Sequence, residues 1–574
     1  MKNRILYSIL IFIIILACFI RLHNVPDRPF CTDTWLWTIG INMHRTPLFN
    51  IQSHVTENFF KSLVYAPYGW SDTLPYYIAA GIYNTLNIPL NEYWIYFVHA
   101  FLGILSVFLM FIVGKMLFNP VAGLLSALLL AILPIDTIVF GSSLLYHSEF
   151  LIFAQLLLCI SLLCYWNKKT ILSAIFFSSM LFVNAGTENV LVFPAIILLQ
   201  YFLEYEKKKH FISSIKSFFK TILSASYLVI WVAPCFVFLL HLYIYHRIGE
   251  SNLGMLGYVL AKYGGGTSTA TFLSMLRIQL TMLYDQFFNI YLILTTVFCL
   301  LHFLNKKRNM KLAGLVFWFF SIFFINVYFK QGSELDTFRY AHYAVPLLLV
   351  MGFASIYIFE YVRNLKASFV FKKYLAILAI LFLAGIFFYN GATVLGTVLN
   401  RKTYSNPLKA VSFYARERGN EDSTIFQLIP PRTKRNFWGE YYFGKCYMEP
   451  GGKTERQLFC FGEHSINEYK KAYNLKDFDF YVEYHDETYN AETRTKIKEF
   501  LNSASKRGLK KVADIARDGK IFATIYSPHA FSYEMIDANI ADKLWDKKYA
   551  NLENLLQSRW CGLSILWGYH HRLD

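Results

Sequence analysis

The feature that most constrains this chain is a succession of apolar runs joined by short loops rich in lysine. A helix needs about 20 apolar residues to cross the hydrocarbon core of a bilayer. Runs of roughly that length fall near 5–20, 93–113, 119–140, 146–166, 170–186, 188–203, 216–243, 287–304, 311–329, 341–361 and 372–394. The expected fold is therefore a polytopic α-helical membrane protein with about 11 transmembrane helices. Hydrophobic residues make up 55% of the 574-residue chain and charged ones only 16%, which excludes an ordinary string of soluble domains.

The formal charge of +17 does not point to nucleic acid, because of where the charge lies. The basic clusters "NKK" at 167, "EKKK" at 206, "NKKRNMK" at 305 and the stretch 362–373 all sit between apolar runs. Lysine and arginine in short loops mark the cytosolic side of a membrane protein. With the N-terminus inside, Lys115, Lys168, Lys207, Lys306 and Arg363 all fall inside. The segments 21–92, 141–145, 244–286, 330–340 and the tail then fall outside. The first run could be read as a secretory signal, but Arg21 follows it directly and no small-x-small cleavage site is present, so it reads as a retained helix. The expected division is a transmembrane domain over 1–400, with outer loops 21–92 and 244–286, and a soluble extracytoplasmic domain over 401–574.

The tail is different material. "STIFQLIP", "DFDFYVEYH" and "KIFATIYSP" have the β-branched and aromatic content of strands, and "AETRTKIKEFLNSASKRG" reads as an amphipathic helix ending at a glycine. A small α/β or α+β domain is expected. Cys18, Cys159, Cys164, Cys235 and Cys299 lie in apolar runs as packing residues, whereas Cys31, Cys446, Cys460 and Cys561 lie on the outer side. Cys446 and Cys460 either pair there or stay reduced. There is no CxxC or HExxH spacing and no Walker or Rossmann glycine pattern; "YGGGTST" at 263 reads as a flexible loop.

Four short patterns recur on the outer face. Arg21, Pro26 and Asp33 follow the first span. A Tyr/Pro-rich patch, "VYAPYGWSDTLPYYIAAGIY" at 64–83, supplies Tyr65. "LPIDTIVFGSSLLYHSEFLIF" carries Pro134, Asp136 and Glu149. "FRYAHYAVP" carries Arg339, Tyr340, His342 and Pro346. In this order, over roughly the first 400 residues, they resemble the polyprenyl-phosphate-sugar-using glycosyltransferases of the GT-C fold, and within them the protein O-mannosyltransferase and lipid A aminoarabinose transferase group. The resemblance implies a sugar donor carried on a polyprenyl phosphate, a glycan, lipid or protein acceptor, and inversion by direct attack. It implies Asp33 as general base, placed just outside the first helix where a lipid-tethered anomeric carbon can sit. Asp33 also suits a helix N-cap in "TDTWLW".

Glu149 is the expected second acid, positioning the acceptor or holding a divalent Mg or Mn with Asp33. Asp136 competes for that role, and a structural pair of Glu149 with His147 or an arginine is the plain alternative. Arg339, with Lys330 and His342, suits the lipid phosphate, because a guanidinium binds phosphate oxygens bidentately; snorkelling to the interface is the plain alternative. Arg277 and Lys262 are further phosphate candidates. The sequence departs from the family where Asn184 and Glu188 stand in place of a basic residue between the fifth and sixth spans; Glu188 is there a candidate contact for acceptor or metal, and Asp136, Tyr65 and Tyr340 are the other substrate-contact candidates. The aromatics Trp35, Trp37, Trp70, Tyr76, Tyr77 and Trp94 suit the membrane interface as well as a sugar. A transporter or flippase of lipid-linked glycans, a non-catalytic scaffold, and an oligosaccharyltransferase or ligase using a diphosphate lipid share the same broad layout.

Overall fold

The computed structural model describes residues 2–23, 92–133, 145–183, 192–208, 210–225, 227–232, 235–236, 239, 271–304, 309–328, 341–364, 369–399, 407–419, 425–428, 475–485, 491–517, 519–541 and 544. The described residues fall into two compact units, a helical one of 2–23 and 96–399 and a sheet-containing one from Pro407, with 92–95 at the start of the second helix grouped with the latter.

The helical unit runs α1 (Lys2–Leu22), α2 (Glu92–Leu117), α3 (Pro120–Ala131), α4 (Leu145–Trp166), α5 (Thr170–Val183), α6 (Val192–Lys208), α7 (Phe211–Ile222), α8 (Phe272–Gln286), α9 (Ile290–Leu304), α10 (Met310–Tyr328), α11 (Ala341–Asn364) and α12 (Phe369–Leu399). In lipid every backbone N–H and C=O must find its partner within the segment, so the apolar runs become helices. Five described helices are long and apolar enough to cross a membrane: Arg4–Leu22, Ala100–Leu117, Lys311–Tyr328, Ala341–Ile358 and Lys373–Leu399. Helices α8 and α9 meet that criterion only together, across a bend of 105°. Shorter apolar helices cover Pro120–Ala131, Leu151–Trp166 and Thr170–Leu181.

The structure adds to one sequence expectation and corrects another. The stretch 272–286, within the expected outer loop 244–286, forms the helix α8. It breaks from α9 where Phe288 and Asn289 take φ of 62° and 47°, a left-handed pair that an α-helix of L-residues does not tolerate. The run read as one span from 216 to 243 begins instead with the separate short helix α7. That helix stops at Leu223, and Ser224 hydroxyl donates to Thr221 carbonyl 2.7 Å away before helical backbone resumes.

Helix α11 is the hub of this unit. It is buried continuously from Ala341 to Met351 and packs on α3, α4, α9, α10 and α12. Small residues allow the closest approaches. A Cβ on Gly352 of α11 would stand 2.2 Å from Ser126 Oγ and 2.8 Å from Ala122 O of α3. Between α2 and α3, a Cβ on Gly123 would stand 2.5 Å from Phe111 O. Association inside a bilayer gains little from apolar burial, so contacts of this kind replace it. The turn between α2 and α3 is set by Asn119, whose side chain accepts from Val121 N and Ala122 N at 3.0 and 2.9 Å, with Pro120 at the first helical position.

The second unit holds α13 (Pro407–Arg418), β1 (Ile425–Leu428), a 3-10 turn (Leu475–Asp477), β2 (Phe480–Tyr484), α14 (Ala491–Ser505), β3 (Lys510–Arg517), β4 (Lys520–Ser527) and β5 (Glu534–Asp537). The sheet order is β1-β2-β4-β3-β5, with β1/β2 and β3/β5 parallel and β2/β4 and β3/β4 antiparallel. Alternation along β2 sends Tyr481 to one face and Phe480 to the other. Tyr481 packs with Phe500 of α14, and Phe480 with Tyr414 of α13, so the two helices cover opposite faces. The three expected strands and the helix are all present. Strands β3 and β5 and helix α13 are additional to the sequence reading.

Candidate active site

The helices that carry or adjoin the four sequence patterns meet at one end of the helical unit. Arg21, the last charged residue of α1, is buried, with 1% of its surface exposed. Its two terminal nitrogens lie 3.4 Å from the carbonyls of Leu130 and Ala131 at the end of α3. The last carbonyls of a helix have no partner within it and carry partial negative charge, so a guanidinium suits them. Arg21 thus ties the exit of α1, which leads to Asp33, to the exit of α3, which leads to Pro134 and Asp136.

The second tie comes from a proline. Pro346 lies inside α11 and has no N–H to offer the carbonyl four residues earlier, which is that of His342. Gln155 of α4 takes that place: its Nε2 donates to His342 O at 2.9 Å. The carbonyl released by Pro346 is therefore the docking point for α4, the helix on whose first turns Glu149 stands. The His342 side chain is itself buried. Replacing Gln155 by Leu leaves this carbonyl buried and unpaired, at a cost of about 1–3 kcal/mol. The expected result is a lower melting temperature of the purified protein, and the double variant Gln155→Leu/Pro346→Ala, which restores the helical N–H, recovers most of it.

The third tie is a buried chain of side chains. Asn326 of α10 donates to Tyr343 hydroxyl at 2.7 Å, and that hydroxyl donates to Gln279 Oε1 of α8 at 3.0 Å. Arg277 stands two residues before Gln279 on α8, with its own side chain exposed. Gln155 Oε1 and Gln279 Nε2 are both buried and find no partner among the described residues. An amide acceptor and an amide donor therefore remain beside the first turns of α11.

At the opposite end lie Lys115, Lys168, Lys207, Lys208, Lys311 and Lys373. Lys311 of α10 donates to Leu117 O at the end of α2, 2.9 Å away. Charge is thus segregated between the two ends of the bundle, the pattern expected of a membrane protein.

Among the sequence candidates, His342, Arg277 and the backbone of Glu149 are described. Asp33, Tyr65, Asp136, Glu188, Lys330, Arg339, Tyr340 and Lys262 lie outside the described residues, as does the side chain of Glu149, and so do Cys446 and Cys460. Among the described residues no group of three His, Cys, Asp or Glu side chains could hold a metal ion. Sequence reasoning missed Gln155, Gln279 and Asn326; for Gln155 and Asn326 a polar residue within an apolar run was the available signal, whereas Gln279 lies in the stretch read as an outer loop.

The sheet unit has a polar cluster of its own. Asp514 accepts from Thr524 at 2.7 Å, Tyr533 at 2.8 Å and Lys511 at 2.5 Å, and Thr524 hydroxyl also meets His485 Nε2 at 2.8 Å. Burial raises the Asp514 pKa, but the hydrogen bonds from Lys511, Thr524 and Tyr533 outweigh it and hold the carboxyl below its usual range. A carboxylate so fully satisfied is a structural anchor between β3, β4 and the entry to β5.

No family sequence pattern and no curated protein sequence matches the chain. Its fold does match solved structures. The chain is similar to ArnT from Cupriavidus metallidurans bound to undecaprenyl phosphate, with TM-score 0.53 and 10% identity over 91% of this chain and 98% of that one. It is also similar to the Archaeoglobus fulgidus oligosaccharyltransferase tethered to an acceptor peptide with the NVT sequon, with TM-score 0.50 and 12% identity over 92% and 74% of the two chains. The same archaeal enzyme in complex with zinc and sulfate gives TM-score 0.50 and 11% identity, over 91% and 73%. The chain has the GT-C fold that these membrane proteins share.

Proposed function

We propose that this protein is an integral membrane glycosyltransferase that moves a sugar from a polyprenyl-phosphate donor to an extracytoplasmic acceptor with inversion. The observation that carries the reading is the meeting, at one end of a GT-C bundle, of the helix ends that lead to Asp33 and Asp136, carry Glu149 and follow Arg339. In this reading Asp33 takes the proton of the acceptor hydroxyl as its oxygen attacks the anomeric carbon. The bond from that carbon to the phosphate oxygen breaks, and polyprenyl phosphate leaves with the electron pair. Arg339 holds the phosphate, with Lys330, His342 and Arg277 as further phosphate-binding groups. Glu149, in preference to Asp136, positions the acceptor or holds a divalent ion with Asp33; the zinc complex of the archaeal neighbour supports the second role.

The direct test is to incubate the purified protein with a polyprenyl-phosphate sugar and measure release of polyprenyl phosphate. Turnover only of a polyprenyl-diphosphate oligosaccharide would favour the oligosaccharyltransferase reading, which the archaeal neighbour supports. Arg339→Ala is expected to weaken donor binding by about 10–100-fold, since hydrogen bonds to charged groups contribute about 1.5–3 kcal/mol. Calorimetry with polyprenyl phosphate alone reads this out, and unchanged affinity would remove Arg339 from the site.

The domain from 401 to 574 is proposed to be extracytoplasmic and accessory, capping the cavity or selecting the acceptor, with the base elsewhere. A cysteine introduced as Asn420→Cys is expected to react with a membrane-impermeant reagent in intact spheroplasts. Labelling only after lysis would reverse the topology. Transfer by the purified tail alone would contradict the division of labour.

A further inference from the structure

Helix α7, Phe211–Ile222, has three faces rather than two. At 100° per residue, Ser214, Ser217, Phe218 and Thr221 fall on one side, Phe211, Ile212 and Phe219 on a second, and Ser213, Lys216 and Lys220 on a third. The first side is turned inward. Ser217 hydroxyl donates to Glu204 Oε2 of α6 at 2.7 Å, and Phe218 packs edge-on against Tyr201 at 5.8 Å between ring centroids. Glu204 is buried and accepts from Lys207 at 3.1 Å as well. The polar edge of α7 is thus fastened to the protein by a buried carboxylate.

The apolar side is left outward. Phe211 is 63% exposed, Ile212 71% and Phe219 55%, and Leu223, just past the helix, is 68% exposed. A helix bounded by water on its free sides would bury these rings and hold its serines out. The inverted arrangement fits a helix whose free apolar side meets acyl chains. Lys216 and Lys220 stand next to that side, exposed and paired with no carboxylate among the described residues. Lys208 and His210 precede them at the end where the unit's lysines gather. Adjacent apolar and cationic faces are what a helix lying in the plane of an anionic membrane surface requires.

We propose that α7 is an interfacial helix that binds anionic phospholipid, with Phe211, Ile212 and Phe219 among the acyl chains and Lys216 and Lys220 on the headgroup phosphates. Glu204 and Ser217 are the clasp that fixes its rotation about its own axis.

The test uses the full chain with Phe219→Trp in bilayers of equal phosphatidylglycerol and phosphatidylcholine, brominated on one lipid or the other. Fluorescence of the parent protein is subtracted. The added tryptophan should be quenched by both lipids, and by phosphatidylglycerol several-fold more strongly, with an upper bound of about 30-fold if each of the two lysines contributes about 1 kcal/mol as at an anionic surface. Lys216→Gln/Lys220→Gln should bring the ratio to about one while quenching by brominated phosphatidylcholine persists, which shows that the helix remains folded in lipid. Absence of quenching by either lipid would overturn the interfacial placement. Equal quenching by both in the parent background, or a preference that survives loss of the lysines, would overturn the anionic site.

Discussion

Asp33→Asn is expected to lower sugar transfer by about 10²–10⁴-fold, the usual contribution of a positioned general base. Expression, thermal stability and donor binding are expected to stay near wild type, because Asn caps a helix about as well as Asp and keeps the same shape. This substitution therefore separates the catalytic reading from the capping one. The buried Arg21 gives the structural reason to look here: it fastens the exit of α1 to the end of α3, so the chain leading to Asp33 starts from a fixed point. The assay is single-turnover transfer from a polyprenyl-phosphate sugar at saturating acceptor. A well-folded Asp33→Asn protein with near wild-type turnover would pass the role of base to Glu149 or Asp136.

Phe500→Ala is expected to destabilise the sheet unit by about 3–5 kcal/mol, the range for deleting a fully buried phenylalanine. Phe500 is 0% exposed and lies between Phe426 of β1 and Tyr481 of β2, with ring centroids at 5.8 and 6.0 Å. Tyr481 hydroxyl is in turn held by Leu475 carbonyl at 2.9 Å, so the hole cannot close by a simple rotation of that ring. Domains of this size are stable by only about 5–15 kcal/mol, and the loss is a large share of that. Hydrogen exchange of the β2 and β4 amides should accelerate by roughly 10²–10⁴-fold, while the amides of α11 keep their protection, because the two units have separate cores. Equal acceleration in α11 would mean that the units unfold together.

The same experiment bears on function. If the sheet unit is an accessory element, Phe500→Ala leaves donor binding by the helical unit intact and lowers only acceptor-dependent turnover. Loss of donor binding in step with loss of sheet protection would assign the sheet unit a part in the donor site.

The sequence by itself determined the helices, because a run of apolar residues about 20 long has one solution in lipid. It determined the gathering of lysines at one end, the strand character of Ile425–Leu428, Phe480–Tyr484 and Lys520–Ser527, and the order of the motifs that led to the GT-C resemblance. These are local signals, readable from period, composition and neighbours. Strand β3 was hidden because six of the eight residues of "KKVADIAR" are charged or alanine, and its register shifts between Lys511 and Ala513 so that Lys511 and Asp514 reach the same side. Helix α8 was hidden because its apolar positions are diluted by Arg277, Gln279 and Asp285.

What only the tertiary structure decided is who pairs with whom. Pro346 announces a carbonyl without its helical partner, but nothing near it in sequence says that Gln155, 187 residues from His342, supplies the donor. Arg21 reads only as a motif residue after the first span until α3 is seen ending against it. Ser217 of α7 lies in a run read as a membrane span, and nothing near it in sequence says that Glu204 is buried beneath it. Each of these depends on a polar group for which burial without a partner is too costly, and the partner comes from whichever helix the packing brings alongside.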